Sequence, residues 1–301
     1  MRPRLPKGPC LMAVFSTPST VTTSSAPVSR RTLLVGSAAG VAAAGLGATV
    51  AEGVLRVPVP SPDPLRGLIP LLGAPLRSIA EVARKLAAVG DYASAVSPRG
   101  DQDGIASFAR LYRIITDTVD ARPFADRAFL VRLDIEFARR YFAALRAYAL
   151  DPDAAPRCWR VLFDRRLDPA VEPAQFAAAG VNAHINYDLA AALLATFPQF
   201  PPSELRRGDY DGINDVFALR MRQLRQLFAS PLSAAPPVVD RGADRVSDLL
   251  VRGTRTVAWD LALQVWNAAD RAAAATALDR ELDRVATVIG GVLLDTPLLP
   301  L

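Results

Sequence analysis

From residue 79 to residue 294 the apolar positions of this chain recur every three or four residues, the spacing that lines up one face of an α-helix. No stretch alternates with the two-residue period of a half-buried strand. The clearest stripe is Ile105, Phe108, Leu111, Tyr112 and Ile115; a second joins Phe129, Leu133, Phe137, Tyr141, Ala144 and Tyr148. Helix-breaking and capping residues set the ends. Gly90 stops a first helix over 79–89, and Asp103 caps a second over 104–119. Pro123 and Asp126 open a third that runs to Leu150, and Asp151-Pro152 and Asp168-Pro169 bracket a fourth over 154–167. A fifth spans 173–196 and ends at the rigid Phe197-Pro198-Gln199-Phe200-Pro201-Pro202 connector. Helices over 209–229, 240–267 and 270–294 follow, with Pro231, Pro236 and Pro237 in the break between the first two of them. The pattern predicts an all-α, single-domain bundle of about eight helices, its short connections favouring antiparallel neighbours.

The fifth helix differs from the others. Its middle, Ala179-Gly180-Val181-Asn182-Ala183-His184-Ile185-Asn186-Tyr187-Asp188-Leu189, holds the one histidine of the chain in a run of polar groups. At about 100° per residue His184 and Asp188 share one face and Asn182 and Asn186 share another, roughly 160 to 200° away. Val181, Ile185 and Leu189 lie between the two faces. Such a helix has no purely solvent side. It either crosses the centre of the bundle with its polar groups paired or lines a cavity.

The ends of the chain read differently. Residues 1–28 are rich in Ser, Thr and Pro without apolar period. Arg30 and Arg31 then precede an uncharged Ala/Gly/Val/Leu run over 33–50, closed by Thr49-Val50-Ala51. This is the pattern of a twin-arginine export signal, and it predicts a domain outside the cytoplasm with the twin-arginine translocation machinery as its partner. The alternative is an uncleaved anchor, because 18 residues come close to the ~17 to 20 that a membrane span needs. Residues 52–78, with six prolines between Pro58 and Pro75, are expected to be a linker or arm of extended backbone, leaving 79–301 as the helical domain.

Composition narrows the function classes. A chain that is 51% hydrophobic and 22% charged is globular, and its net charge of +5 comes from one place. Residues 1–51 carry Arg2, Arg4, Lys7, Arg30 and Arg31 and no acid, so the remainder holds 30 basic against 30 acidic residues. A neutral body argues against nucleic-acid binding, which needs a sustained basic surface. Of the two cysteines, Cys10 falls in the signal and Cys158 beside Trp159 reads as core packing, which leaves no intramolecular disulfide.

Several segments together resemble a known bacterial family. They are Phe108-Ala109-Arg110-Leu111-Tyr112 with Thr116, Leu133-Asp134-Ile135-Glu136-Phe137 with Arg140-Tyr141-Phe142, Trp159 with Phe163, the run from Gly180 to Leu189, and Asp209-Tyr210 with Ile213-Asn214. The family is that of domain of unknown function 5995, and the resemblance covers roughly residues 100 to 270. It implies no activity. It does imply that Asn182, His184, Asn186, Asp188, Asp209 and Asn214 are the motif positions. The family pattern has a further histidine ahead of the Asp-aromatic pair, where this chain reads Arg206-Arg207-Gly208.

Three readings of the polar cluster are open. In the first, Asn182, His184, Asn186 and Asp188, with Asp134, Glu136, Asp209 and Asn214, form a mainly structural network that cross-links helices and borders a small-ligand pocket. In the second, His184 and Asp188 are the catalytic pair of a metal-dependent hydrolase or oxidoreductase. Glu136, or another of the carboxylates Asp134, Asp209 and Asp211, would then help them hold a divalent ion, although the repeated Glu-x-x-His of dinuclear bundles is missing. In the third, the bundle encloses a lipid or another apolar ligand. The acids Asp209, Asp211 and Asp215 lack the spacing of a calcium loop and are better explained as N-terminal helix acids. No nucleophile elbow, phosphate loop or dinucleotide fingerprint is present.

Overall fold

The computed structural model describes residues 64–228 and 237–296, and the export-signal residues Arg30 and Arg31 with the apolar run 33–50 lie outside them. The described residues are helical without a strand: α1 (Ile69–Gly73), α2 (Ile79–Val96), α3 (Gly104–Ala121), α4 (Arg127–Leu150), α5 (Arg157–Arg165), α6 (Pro173–Ala183), α7 (Leu189–Thr196), α8 (Glu204–Phe228), α9 (Pro237–Trp266) and α10 (Arg271–Asp295). A π-helical turn, His184–Asp188, joins α6 to α7 without a break, so α6 to α7 is one continuous helix. The all-helical bundle is thus as expected. Among the described residues no helix is long and apolar enough to cross a membrane.

Caps explain most of the ends. Asp103 Oδ1 accepts the amides of Ile105 (2.8 Å) and Ala106 (3.3 Å) to start α3, while its other oxygen meets the Arg166 guanidinium in a buried ion pair. Asp126 caps α4 through the Phe129 amide at 3.0 Å. Glu172 and Gln175 form a reciprocal capping box at the start of α6. Asp270 accepts the Ala273 amide at 3.0 Å to begin α10.

Three boundaries depart from the sequence expectation. Gly90 does not stop α2, which continues to Val96; an interior glycine costs only about 1 kcal/mol, and Ala93 beyond it is fully buried. Helix α8 starts at Glu204, five residues before Asp209, so Asp209 cannot cap its own helix. Residues 64–73 of the Pro-rich segment are helical instead of extended, while Ala74 and Ser78 beyond them are extended. A 3₁₀ turn at Pro64–Leu68 runs into α1, where Pro70 occupies a first-turn position that has no amide partner to lose. Leu65, Leu68, Leu72 and Leu76 are buried in the main core, and the Lys85 ammonium takes the carbonyls of Leu72 and Ala74 at the C-terminal end of α1.

The continuous helix from α6 to α7 is the axis of the bundle. It packs on α3, α4, α5, α8, α9 and α10. One core, holding Phe108, Tyr141, Trp159 and Phe176, lies along α6, and a second, holding Phe129, Phe197, Tyr210 and Trp259, lies along α7. Helix α10 crosses back to α5 and α6 instead of pairing mainly with α9. It is held there by Asn182 Nδ2 on the Ala286 carbonyl (2.8 Å) and by Gln175 Nε2 on the Leu293, Leu294 and Thr296 carbonyls.

Close approach of α3 to α6 depends on Gly180. A Cβ there would overlap the Phe108 ring, and Phe108 is enclosed by Tyr141, Trp159 and His184. Gly180→Ala should therefore destabilise the protein by about 1–3 kcal/mol even though alanine is the better helix former. Urea denaturation checks this; an unchanged or raised midpoint would show that the ring can move aside freely.

Candidate functional site

The central cluster divides into two faces, and they do different things. On one face Asn186 Nδ2 donates to Asn182 Oδ1 (2.9 Å), and Asn182 passes the contact on to α10. Both side chains are satisfied by protein.

The other face is built around Asp188, which is 1% exposed. Its Oδ2 accepts Trp159 Nε1 of α5 (3.0 Å) and faces His184 Nδ1 (2.9 Å), while Oδ1 accepts Arg140 Nε of α4 (3.2 Å). A carboxylate only accepts hydrogen bonds, so the imidazole proton lies on Nδ1 and Nε2 keeps a free lone pair. The ring is clamped as well. Phe137 stacks on it at 3.4 Å between centroids and 10°, and Tyr112 meets it edge-on at 4.6 Å. His184 is 3% exposed; burial lowers its pKa below 6.5, against an upward pull from Asp188, so the imidazole is neutral at pH 7.

Beyond Nε2 lies a cavity of about 60 Å³, several times the ~10–15 Å³ that one water needs. It runs between α3, α4, the α6–α7 helix, α8 and α9, and its walls are mostly apolar, among them Leu111, Ile115, Leu133, Ile185 and Phe217. Five polar residues also line it: Tyr112, Thr116, Asp134, His184 and Arg255. The Tyr112 hydroxyl, Thr116 Oγ1, Asp134 Oδ2, His184 Nε2 and Arg255 Nε are each buried without a hydrogen-bond partner among the described residues. Buried polar atoms are seldom left so, and five of them around one space mark it as a place for a polar guest. Burial raises the Asp134 carboxyl to about 7, with a further push from Asp120, and raises the Tyr112 hydroxyl well above its usual range, so both are donors at neutral pH or just below it.

Residues 79–296, more than two thirds of the chain, match the model of a family described as a family of unknown function, DUF5995. The chain belongs to the DUF5995 family. No curated protein and no solved structure matches it.

The motif positions of this DUF5995 protein do not converge on one point. Asp134 joins His184 at the cavity, but Glu136 turns to Arg132 and Arg139, each at 2.7 Å, beside a separate surface cleft. Asp209 crosses to α4, where it accepts the amides of Ala125 (3.0 Å) and Asp126 (2.6 Å); it serves a helix start, but that of another helix. Asp211 pairs with Arg207 at 2.8 Å. Asn214 is buried on α8, its Oδ1 without a partner in the protein. The expected metal set of His184, Asp188 and Glu136 is not assembled, because Asp188 is taken up by Trp159, Arg140 and His184 and Glu136 by its arginines. Among the described residues no three His, Cys, Asp or Glu side chains are grouped to hold a metal ion. Ahead of Asp209, Arg206 and Arg207 bind Asp126 at 2.8 Å and Asp211. Cys158 is a buried free thiol, its pKa pushed up by burial.

Sequence reasoning placed Tyr112 in an apolar stripe and left out Arg255. Tyr112 and Thr116 stand four apart on the core face of α3, and a hydroxyl pair inside an apolar stripe is a signal that could have marked this wall of the cavity.

The Asp134 carboxyl carries a testable pH signature. With an unfolded pKa of 3.8 and a folded one of about 7, the native state binds the extra proton between these values, so this group costs stability as pH rises through 7. Asp134→Asn should stabilise the protein by roughly 2–4 kcal/mol at pH 8 and by little at pH 4. Chemical denaturation at the two pH values measures this, and an equal gain at both would mean that the carboxyl is not held neutral.

Proposed function

We propose that this DUF5995 protein binds a small, mainly apolar molecule carrying one hydrogen-bond donor, in the cavity beside His184. The observation that carries the reading is His184 Nε2: a lone pair fixed in direction by Asp188 and by the Phe137 stack, buried at the cavity wall and without a partner among the described residues. A network that served structure alone would pair both ring nitrogens, as it pairs both asparagines on the opposite face. The apolar walls supply affinity by burying hydrocarbon, at about 25 cal/mol per Å², and the nitrogen supplies orientation and selectivity. His184 has the form of a base held ready by a carboxylate, so proton abstraction from a bound hydroxyl is chemistry within its reach.

The single histidine makes the test direct. Titration with 1-hexanol should shift the ring resonances of the one imidazole in the NMR spectrum and raise the melting temperature. His184→Leu, which keeps the apolar bulk, should weaken hexanol binding about tenfold, the worth of one hydrogen bond lost in a dry site. Wild-type protein that ignores hexanol and related short alcohols would overturn the reading.

The site of action belongs to the same proposal. The Arg30-Arg31 pair and the weakly hydrophobic run after it support passage through the twin-arginine route, which carries folded proteins with their sites already formed. Replacing both arginines by lysine should hold the protein in the cytoplasm, as cell fractionation would show. Export that persists in the double variant would point to another route.

A further inference from the structure

Arg255 is 3% exposed, yet no carboxylate lies within ion-pair distance of it among the described residues. The acid whose charge acts on it, Asp211, is already paired with Arg207. What holds Arg255 is uncharged. One Nη donates to the Tyr210 carbonyl at 2.9 Å, the guanidinium lies over the Tyr210 ring at 4.3 Å, and the Tyr210 hydroxyl returns a bond to the Arg255 carbonyl at 2.6 Å. This reciprocal latch between α8 and α9 fixes the plane of the guanidinium and leaves Nε without a partner at the cavity.

A guanidinium removed from water without a counter-charge is costly, and the usual remedies are a paired acid or loss of the proton. Arginine does not lose its proton in proteins, and the acid that shares the cavity, Asp134, is held largely neutral below pH 7. One full positive charge therefore faces a mainly apolar space with no ionised partner among the described residues. We propose that the guest of this cavity is a monoanion, a short apolar hydroxy acid whose carboxylate pairs with Arg255 and whose hydroxyl is the donor to His184 Nε2, for which hexanoate and 1-hexanol are probes of one end each. The inference rests on the ligand-binding reading of the His184 cavity and specifies its chemical class. A carboxylate suits the site better than a phosphate, because a single planar cation matches one planar anion and nothing else in the wall offers positive charge. The size of the space fits a short chain.

The test compares two probes of equal length, hexanoate and 1-hexanol, by calorimetry on the full-length protein at pH 6, where hexanoate is ionised and Asp134 is mainly protonated. Hexanoate should bind at least tenfold more tightly to the wild type. Arg255→Met should remove that advantage and leave hexanol binding in place, whereas Arg255→Lys, which keeps the charge but not the planar fork, should retain part of it. If the methionine variant fails to fold, the wild-type comparison and the lysine variant decide the matter. Hexanol binding equal to or tighter than hexanoate in the wild type would overturn the anionic guest and leave the cavity reading standing. Failure of both probes to bind would overturn the two together.

Discussion

A carboxylate taken almost wholly out of water must be surrounded by donors, and this bundle is arranged to meet that demand at Asp188. Its two oxygens draw Trp159 from α5, Arg140 from α4 and His184 from its own π turn, so three helices are held in register by one side chain. Removing one partner of such an arrangement commonly costs 3–5 kcal/mol, because the remaining charges stay buried. The aromatic groups around it, Phe108, Tyr141 and Trp159, fill the space that the polar contacts define.

The same arrangement separates structure from chemistry. Both oxygens of Asp188 are engaged by protein, and what reaches the His184 cavity is the other end of the imidazole it holds. The π turn helps to bring this about. By widening the helix for five residues it places His184, Ile185 and Leu189 against α3 and α4 while Asn182 and Asn186 still face α10. Such single π turns in long helices recur at functional sites. Arg255 completes the contrast: a charge held by neutral contacts on the far wall, where the core would be simpler with leucine.

The fold was largely legible in the chain. The stripe from Ile105 to Ile115, the Asp103 cap and the Asp270 cap each follow from local spacing, and local spacing is what a helix obeys. The family resemblance pointed to His184 and Asp188, and the pairing of those two follows from their separation on one helix. The rest was hidden for one reason. Whether Glu136 faces His184 or its own arginines, and whether Asp209 caps α8 or α4, depends on how rods cross, and neither outcome changes the local pattern. Arg255 carried no signal at all, since an arginine on a helix looks the same in sequence whether it meets solvent, an acid or a cavity.

What the sequence determined by itself was therefore one-dimensional: helices, most of their ends, a central helix too polar for solvent-free packing without partners, and a proline-rich lead-in. The tertiary structure decided which polar groups found partners and which did not. That is a matter of desolvation and geometry across α3, α4, α8 and α9, helices far apart in the chain. Only when these helices close around one space do the histidine nitrogen, the tyrosine and threonine hydroxyls, the neutral carboxyl and the unpaired guanidinium become parts of a single site.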